Sequence, residues 1–179
     1  KIFDGNSKFN VSVIPTGNWR GMVMRTDVAP FDDPRVRKAV RIAVDRQELV
    51  DLVMAGAATV SCDTPVAPSD QYRMEKNCPP QPATAKKLLK EAGYPDGIDM
   101  TIHVSTKEPT WPTIAEVLQQ QFAKANIRAD IQMTPSKSYW NETWMKKAVA
   151  MTRWNERPAD SILHEAYHSE AKWNESFYK

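Results

Sequence analysis

Apolar positions along this chain follow two spacings in turn, one near 2 and one near 3.6 residues, and the two alternate from end to end. Val11–Ile14 and Gly21–Thr26 read as short strands. Pro30 to Asp33 is a turn, and Asp33 can cap a helix that has Pro34 at its first position. Val36, Ala39, Val40 and Ala43 then recur at helical spacing, with Arg35, Lys38 and Arg41 off that stripe. Asp45 and Glu48 form a second capping signature, for Leu49–Met54, and Gly56 suits the stop. Residues 57–81 are loop-like, with Pro65, Pro68, Pro79 and Pro80. Pro82–Ala92 predicts a helix with Ala85, Leu88, Leu89 and Ala92 on one face and Gly93 just past its end. Ile98–Val104 predicts a strand. Thr113 and Glu116 predict a capping pair for a helix striped by Ile114, Val117, Leu118 and Phe122. Arg128–Met133 is the next strand, Ser138–Lys147 a helix, Ala148–Trp154 a strand, and Asp160–His168 a last short helix. Strands alternating with helices predict an α/β layer architecture.

Composition narrows the possibilities. At 179 residues and 41% hydrophobic, the chain can bury one real core and is too apolar to be disordered. No stretch approaches the run of about 20 apolar residues that spans a bilayer. A net charge of +2 argues against a dedicated nucleic-acid binder, which carries a stronger basic excess. Cys62 and Cys78 lie in a stretch rich in Pro, Asp and Ser. They are either two separate buried thiols or one disulfide pinning a long loop; the bridge would contribute roughly 3 kcal/mol and imply an oxidising compartment. The opening KIFDGNSKFN is polar and lacks an initiator Met, as expected of a fragment or a processed chain.

Three constellations could carry chemistry. His164-Glu165-Ala166-Tyr167-His168 matches H-E-x-x-H; on a helix both imidazoles could hold one zinc while Glu165 polarises water, which would make a zinc-dependent hydrolase. A catalytic zinc also needs a third protein ligand, and Ala171 and Asn174 stand where the extended motif has Gly and His. The other reading of those residues is a solvated helix face. Arg35 to Met54 could be a helix-turn-helix, but Val44 and Asp45 form the turn and Glu48 and Asp51 make the second helix acidic. A basic solvated face is the simpler reading. Finally, Trp19, Trp111, Trp140 and Trp154 sit near the ends of predicted elements. Open α/β sheets bind ligands beyond the carboxyl ends of their strands. Trp154 closes a strand there, followed at once by Arg157 and Asp160, an aromatic wall beside one cation and one anion. Trp at a strand end can equally be core. No Ser-His-Asp arrangement and no Gly-rich phosphate loop stands out, and neither Cys sits in a nucleophile context.

Residues 30–50, PFDDPRVRKAVRIAVDRQELV, resemble the extracellular solute-binding proteins of peptide and nickel ABC importers. Further blocks follow in order: Gly56 leading to Pro65-Val66-Ala67-Pro68, then AKKLLKEAGYPDG at 85–97, then Trp154 to Asp160, and Trp173-Asn174. The resemblance runs from about residue 11 to 178. It implies one α/β lobe over 1–179, of the type II periplasmic-binding kind with a mixed sheet flanked by helices, forming most of the C-terminal lobe of a larger two-lobed protein. It implies a carrier, not an enzyme, that captures a peptide-like solute outside the cytoplasmic membrane and delivers it to an ABC permease. Such a carrier works as a periplasmic or extracytoplasmic monomer, with no cofactor, metal or nucleic-acid partner. Trp19 and Trp154 would pack the ligand, Arg157 attract its anionic groups and Asp160 its cationic ones. The chain departs from the pattern at Gln81-Pro82, where an Asp-Pro helix start is usual. It departs again at Lys107 and Glu108, where dipeptide-specific members place an Arg.

Overall fold

In the computed structural model, residues 5–12 and 16–179 are described. Four strands form one sheet in the order β1-β4-β2-β3. β1 (Trp19–Met24) runs antiparallel to β4 (Val149–Trp154), while β2 (Ile98–Ser105) is parallel to both β4 and β3 (Ile127–Thr134). The architecture is the expected one, a mixed sheet with helices packed on it. The strand expected over Val11–Ile14 falls partly outside the described residues; Val11 and Ser12 are irregular.

Two helices begin where their caps place them. Asp33 accepts the Arg35 N–H at 2.7 Å and starts α1 (Pro34–Ile42), which buries Val36, Ala39 and Val40. Asp45 accepts the Gln47 and Glu48 N–H groups and starts α2 (Arg46–Met54), whose last turn ends in a left-handed Ala55 followed by Gly56. α3 (Pro82–Glu91) has no side-chain cap at Gln81, as its sequence suggests, and buries Ala85 and Leu89. Gly97 turns the chain into β2 at φ +86°, and a Cβ there would lie 1.7 Å from the Asn126 carbonyl oxygen, so glycine is required.

Three helices differ from expectation. α4 (Trp111–Ala123) starts two residues before the expected cap at Thr113. Pro112 is preset for a first helical turn, and burying Trp111 completely adds the drive. Its buried stripe is Trp111, Ala115, Leu118, Gln121 and Phe122, with Ile114 and Val117 only partly covered. The helix expected over Ser138–Lys147 is one short turn, α5 (Ser136–Ser138), running into a π-turn at Tyr139–Thr143. Tertiary bonds hold that wider winding. The Tyr139 hydroxyl donates to the Met151 carbonyl at 2.5 Å and the Trp144 indole N–H to Glu175, while the turn's own bond runs from the Trp144 backbone N–H to the Tyr139 carbonyl at 2.8 Å. The last helix, α6 (Ala159–Ile162), likewise passes into a π-turn at Leu163–Tyr167, and His168 is already extended.

The main core joins α1, α3 and α4 to the sheet, with Phe31, Trp111, Tyr139, Phe122 and Leu89 its largest members. A second cluster, Trp154, Ile162 and Ala166 with Trp19 and Trp173 against it, lies where β1 and β4 meet the C-terminal segment. Cys62 and Cys78 form a disulfide across the long loop, with Cα atoms 5.6 Å apart.

Candidate functional site

Because β2, β3 and β4 are parallel, their carboxyl ends share one edge of the sheet. β1 is antiparallel, so it brings its first residues to the same edge: Trp19 pairs with Trp154, and Arg20 with Arg153. A pocket of about 190 Å³ opens there between the two tryptophans, the arginine pair, Asn18, Asn155 and Glu108 from the turn after β2. The Trp19 and Trp154 rings stack at 6.4 Å with 19° between their planes. Trp173 meets the other side of Trp154 edge-on at 5.9 Å. Arg153 pairs with Glu108 at 2.9 Å, whereas Arg20 has no ion-pair partner among the described residues. The Trp19 indole Nε1 is buried with no hydrogen-bond acceptor among them. The pocket is therefore bordered by two tryptophans, one guanidinium with no ion-pair partner among the described residues, and a carboxylate paired with Arg153. These groups suit the termini and amides of a peptide-like solute.

Of the four residues singled out from sequence, Trp19 and Trp154 line this pocket. Arg157 lies beside them: its guanidinium is 6.0 Å from the Trp154 ring centre and 2.9 Å from the Glu165 carboxylate, so its charge is already answered. Asp160 is exposed in the first turn of α6 and is not part of the pocket wall. Arg20, Arg153, Asn18 and Asn155 escaped the sequence reading, and Glu108 figures there only as a departure from the dipeptide-specific pattern. Only strand pairing brings them together, and no spacing signals that in advance.

The segment after β4 is held from a distance. Glu156 accepts the Gly17 N–H at 3.0 Å and the Ser69 hydroxyl at 3.1 Å, and a Cβ on Gly17 would lie 2.6 Å from the Glu156 side chain. Asp70 accepts the Ala159 N–H at 3.0 Å and so caps α6 from the disulfide loop. Behind Trp154 lies Glu175, only 7% exposed. Its carboxylate accepts the Trp144 indole N–H, the Thr152 hydroxyl at 2.5 Å and the Trp154 indole N–H at 3.2 Å. Burial pushes this carboxyl above the ordinary carboxylate range, and the three donors pull it back in part.

A larger cavity of about 390 Å³ lies between the start of the chain's described sheet edge, α2 and the disulfide loop. Its walls are mostly apolar, including Met22, Val44, Leu49 and Val53; on its rim Arg46 is bonded to Asp63 at 2.7 Å, and Trp19 and Arg20 border both this cavity and the smaller pocket.

The H-E-x-x-H residues do not share an α-helical face, because the π-turn spans Leu163–Tyr167 and His168 lies beyond it. The two imidazole centres are 5.8 Å apart. Glu165 is engaged by Arg157 and by the Ser161 hydroxyl at 3.0 Å, which leaves it poorly placed to polarise water. Among the described residues no group of three His, Cys, Asp or Glu side chains is placed to hold a metal ion. On the basic helix pair, Arg35 is tied to Asp33, Arg46 to Asp63, and Arg37 to backbone carbonyls.

Residues 1–174 match the model of the bacterial extracellular solute-binding proteins, family 5, middle region. The glutathione-binding protein GsiB of Salmonella choleraesuis is 38% identical over 127 residues, 70% of this chain and 25% of that protein. GsiB of Escherichia coli K12 is 34% identical over 131 residues, 73% of this chain and again 25% of the relative. The periplasmic binding protein DppA of Helicobacter pylori, solved with the peptide STSA, superposes with a TM-score of 0.80 at 26% identity, over 92% of this chain and 34% of that one. NikZ of Campylobacter jejuni, solved with Ni(L-His), shares the fold at a TM-score of 0.79 and 19% identity, over 99% of this chain and 39% of its own. The chain thus spans about a quarter of the length of its curated relatives. With the matching model, the shared fold and the curated relatives in agreement, the chain belongs to the bacterial extracellular solute-binding proteins of family 5.

Proposed function

We propose that the whole protein captures a small peptide-like solute outside the cytoplasmic membrane and delivers it to an ABC permease, and that residues 1–179 form most of its C-terminal lobe. The observation that carries this reading is the pocket at the carboxyl edge of the sheet, where the stacked Trp19 and Trp154 stand beside Arg20, Arg153 and Glu108. Trp19 and Trp154 pack the solute. Arg20, without an acidic partner among the described residues, takes a carboxylate, and Glu108 can exchange Arg153 for a ligand ammonium. Arg157 steadies Trp154 and lends positive charge to the rim, and Asp160 acts at longer range as an exposed anion. The relatives support the class of solute: GsiB is a glutathione-binding protein and DppA was solved with a peptide. The family's extracellular setting agrees with the Cys62–Cys78 disulfide. The protein acts as a monomer, without nucleic acid, and closes by a hinge; only the solute's greater affinity for the closed state drives closure.

Native mass spectrometry of the gently purified whole protein tests this, followed by release and identification of what it carries. Masses in the peptide range are expected; a bare protein that also ignores added glutathione and small peptides would sink the reading. Trp154→Ala should weaken solute binding at least about tenfold by calorimetric titration, since it removes a central aromatic anchor. An unchanged affinity would remove Trp154 from the site.

A further inference from the structure

A buried carboxylate with no cation beside it is expensive to keep, and Glu175 is such a group: among the described residues it has no ion-pair partner. What surrounds it is a set of donors. Trp144 and Thr152 both donate to Oε1, and Trp154 donates to Oε2. An ionised carboxylate accepts at both oxygens, whereas an amide offers one accepting oxygen and an NH2 that would face an indole N–H as a second donor. The donor set therefore demands Glu and would not be met by Gln. The three donors also differ in what they anchor. Thr152 and Trp154 lie on the same face of β4, Trp144 ends the π-turn that leads into β4, and Trp154 is a wall of the pocket.

We infer that Glu175 is the positioning residue of the binding site: by holding the Trp154 indole from behind, it fixes the ring orientation that the solute meets. This rests on the reading of Trp154 as a ligand wall. The indole of a Trp at the end of a strand can flip about its terminal torsion with little change in packed area. Its single N–H distinguishes the two orientations, and here that N–H points at Oε2 of Glu175. Trp173 and Arg157 contact the ring but offer it no hydrogen-bond acceptor. The face that Trp154 presents to Trp19, at 19° between planes, is then a consequence of a residue that need not touch the solute itself.

The test uses the whole protein, labelled with 15N at its tryptophan indoles, with glutathione and the tetrapeptide STSA as probes. The Trp144 and Trp154 indole signals are assigned by Trp144→Phe and Trp154→Phe. Both are expected at the downfield side, and Glu175→Gln should shift both while leaving the Trp111 signal in place. The same variant should weaken the bound probe about fivefold, the net worth of one ordinary hydrogen bond. Should Glu175→Gln fail to fold, Thr152→Val removes one donor at constant size and should shift the Trp154 signal in the same direction with a smaller loss of affinity. A Trp154 signal that ignores both substitutions overturns the proposal. So does an affinity unchanged by Glu175→Gln in a protein where Trp154→Ala does weaken the probe; the ligand-wall reading then stands without it. An affinity unchanged by Trp154→Ala overturns that reading instead, and this proposal with it.

Discussion

The carboxyl of Glu175 is held above the ordinary carboxylate range by burial, so the folded chain keeps its proton to a higher pH than the unfolded chain does. Where the folded state binds more protons, stability falls as pH rises. Glu175 thus contributes stability that is complete below the unfolded carboxylate pKa of about 4.3 and is lost as pH climbs through its own raised value. A plot of Tm against pH should decline over that range, and Glu175→Gln should flatten the decline. The half-buried Asp33 and the exposed Asp99 have the opposite sign: Arg35 and Arg128 hold them low, so what they contribute is present above the ordinary range and disappears as pH falls through their depressed values. Gln121 is a second residue whose role is set by what it would abandon. It is buried, accepts the Asp45 N–H at 2.9 Å and donates to the Asp45 carbonyl at 3.0 Å and to Glu48 at 2.7 Å. Gln121→Leu should cost about 1–3 kcal/mol in urea unfolding, because it strands the Asp45 N–H and takes away the donor to Glu48, while the Asp45 carbonyl keeps the Leu49 N–H.

Elements with local causes were legible in the sequence. The caps at Asp33 and Asp45, the apolar alternation of Ile98, Met100, Ile102 and Val104, and the stop after α3 all act within a few residues of where they are written. The expected strands over 98–104, 128–133 and 148–154 lie within a residue of the observed ones. Elements with distant causes were not legible. The chain from Ser138 to Lys147 has helical spacing, yet Tyr139 is bound to β4 and Trp144 to Glu175, and those tertiary bonds replace the expected helix by a π-turn. The site divides the same way. Trp19 and Trp154 could be picked out as aromatic residues near strand ends, but Arg20 and Arg153 become neighbours only through antiparallel pairing of β1 with β4, and Glu175 finds its donors only after the C-terminal segment folds back. The disulfide loop behaves as a single element. Reducing Cys62–Cys78, or replacing both by Ser, should cost roughly 3 kcal/mol of stability in denaturant titration, by loop-closure entropy. It should also loosen α6, whose first N–H is capped by Asp70 from within that loop.

At the scale of the molecule, the proposed two-lobed closure has a direct readout: the radius of gyration of the whole protein in solution scattering should fall when a bound solute is added, and stay unchanged when the pocket is disabled by Trp154→Ala. Described residues of the pocket come from three stretches, 18–20, 108 and 153–155, so no part of the chain owns the site. The placement of β1 has a further consequence, in time instead of space. It precedes every other strand in the chain, yet its partner in the sheet is β4, the last one made. A ribosome or a secretion channel releasing this chain from its N-terminal side emits β1 with an unpaired edge and keeps it waiting until residue 154 has followed. In pulse-labelled hydrogen exchange during refolding, the amides of β2 and β3 should become protected before those of β1. Among the described strands the proposed pocket would then be completed last, when β4 joins β1, so it could grip no solute before that pairing is made.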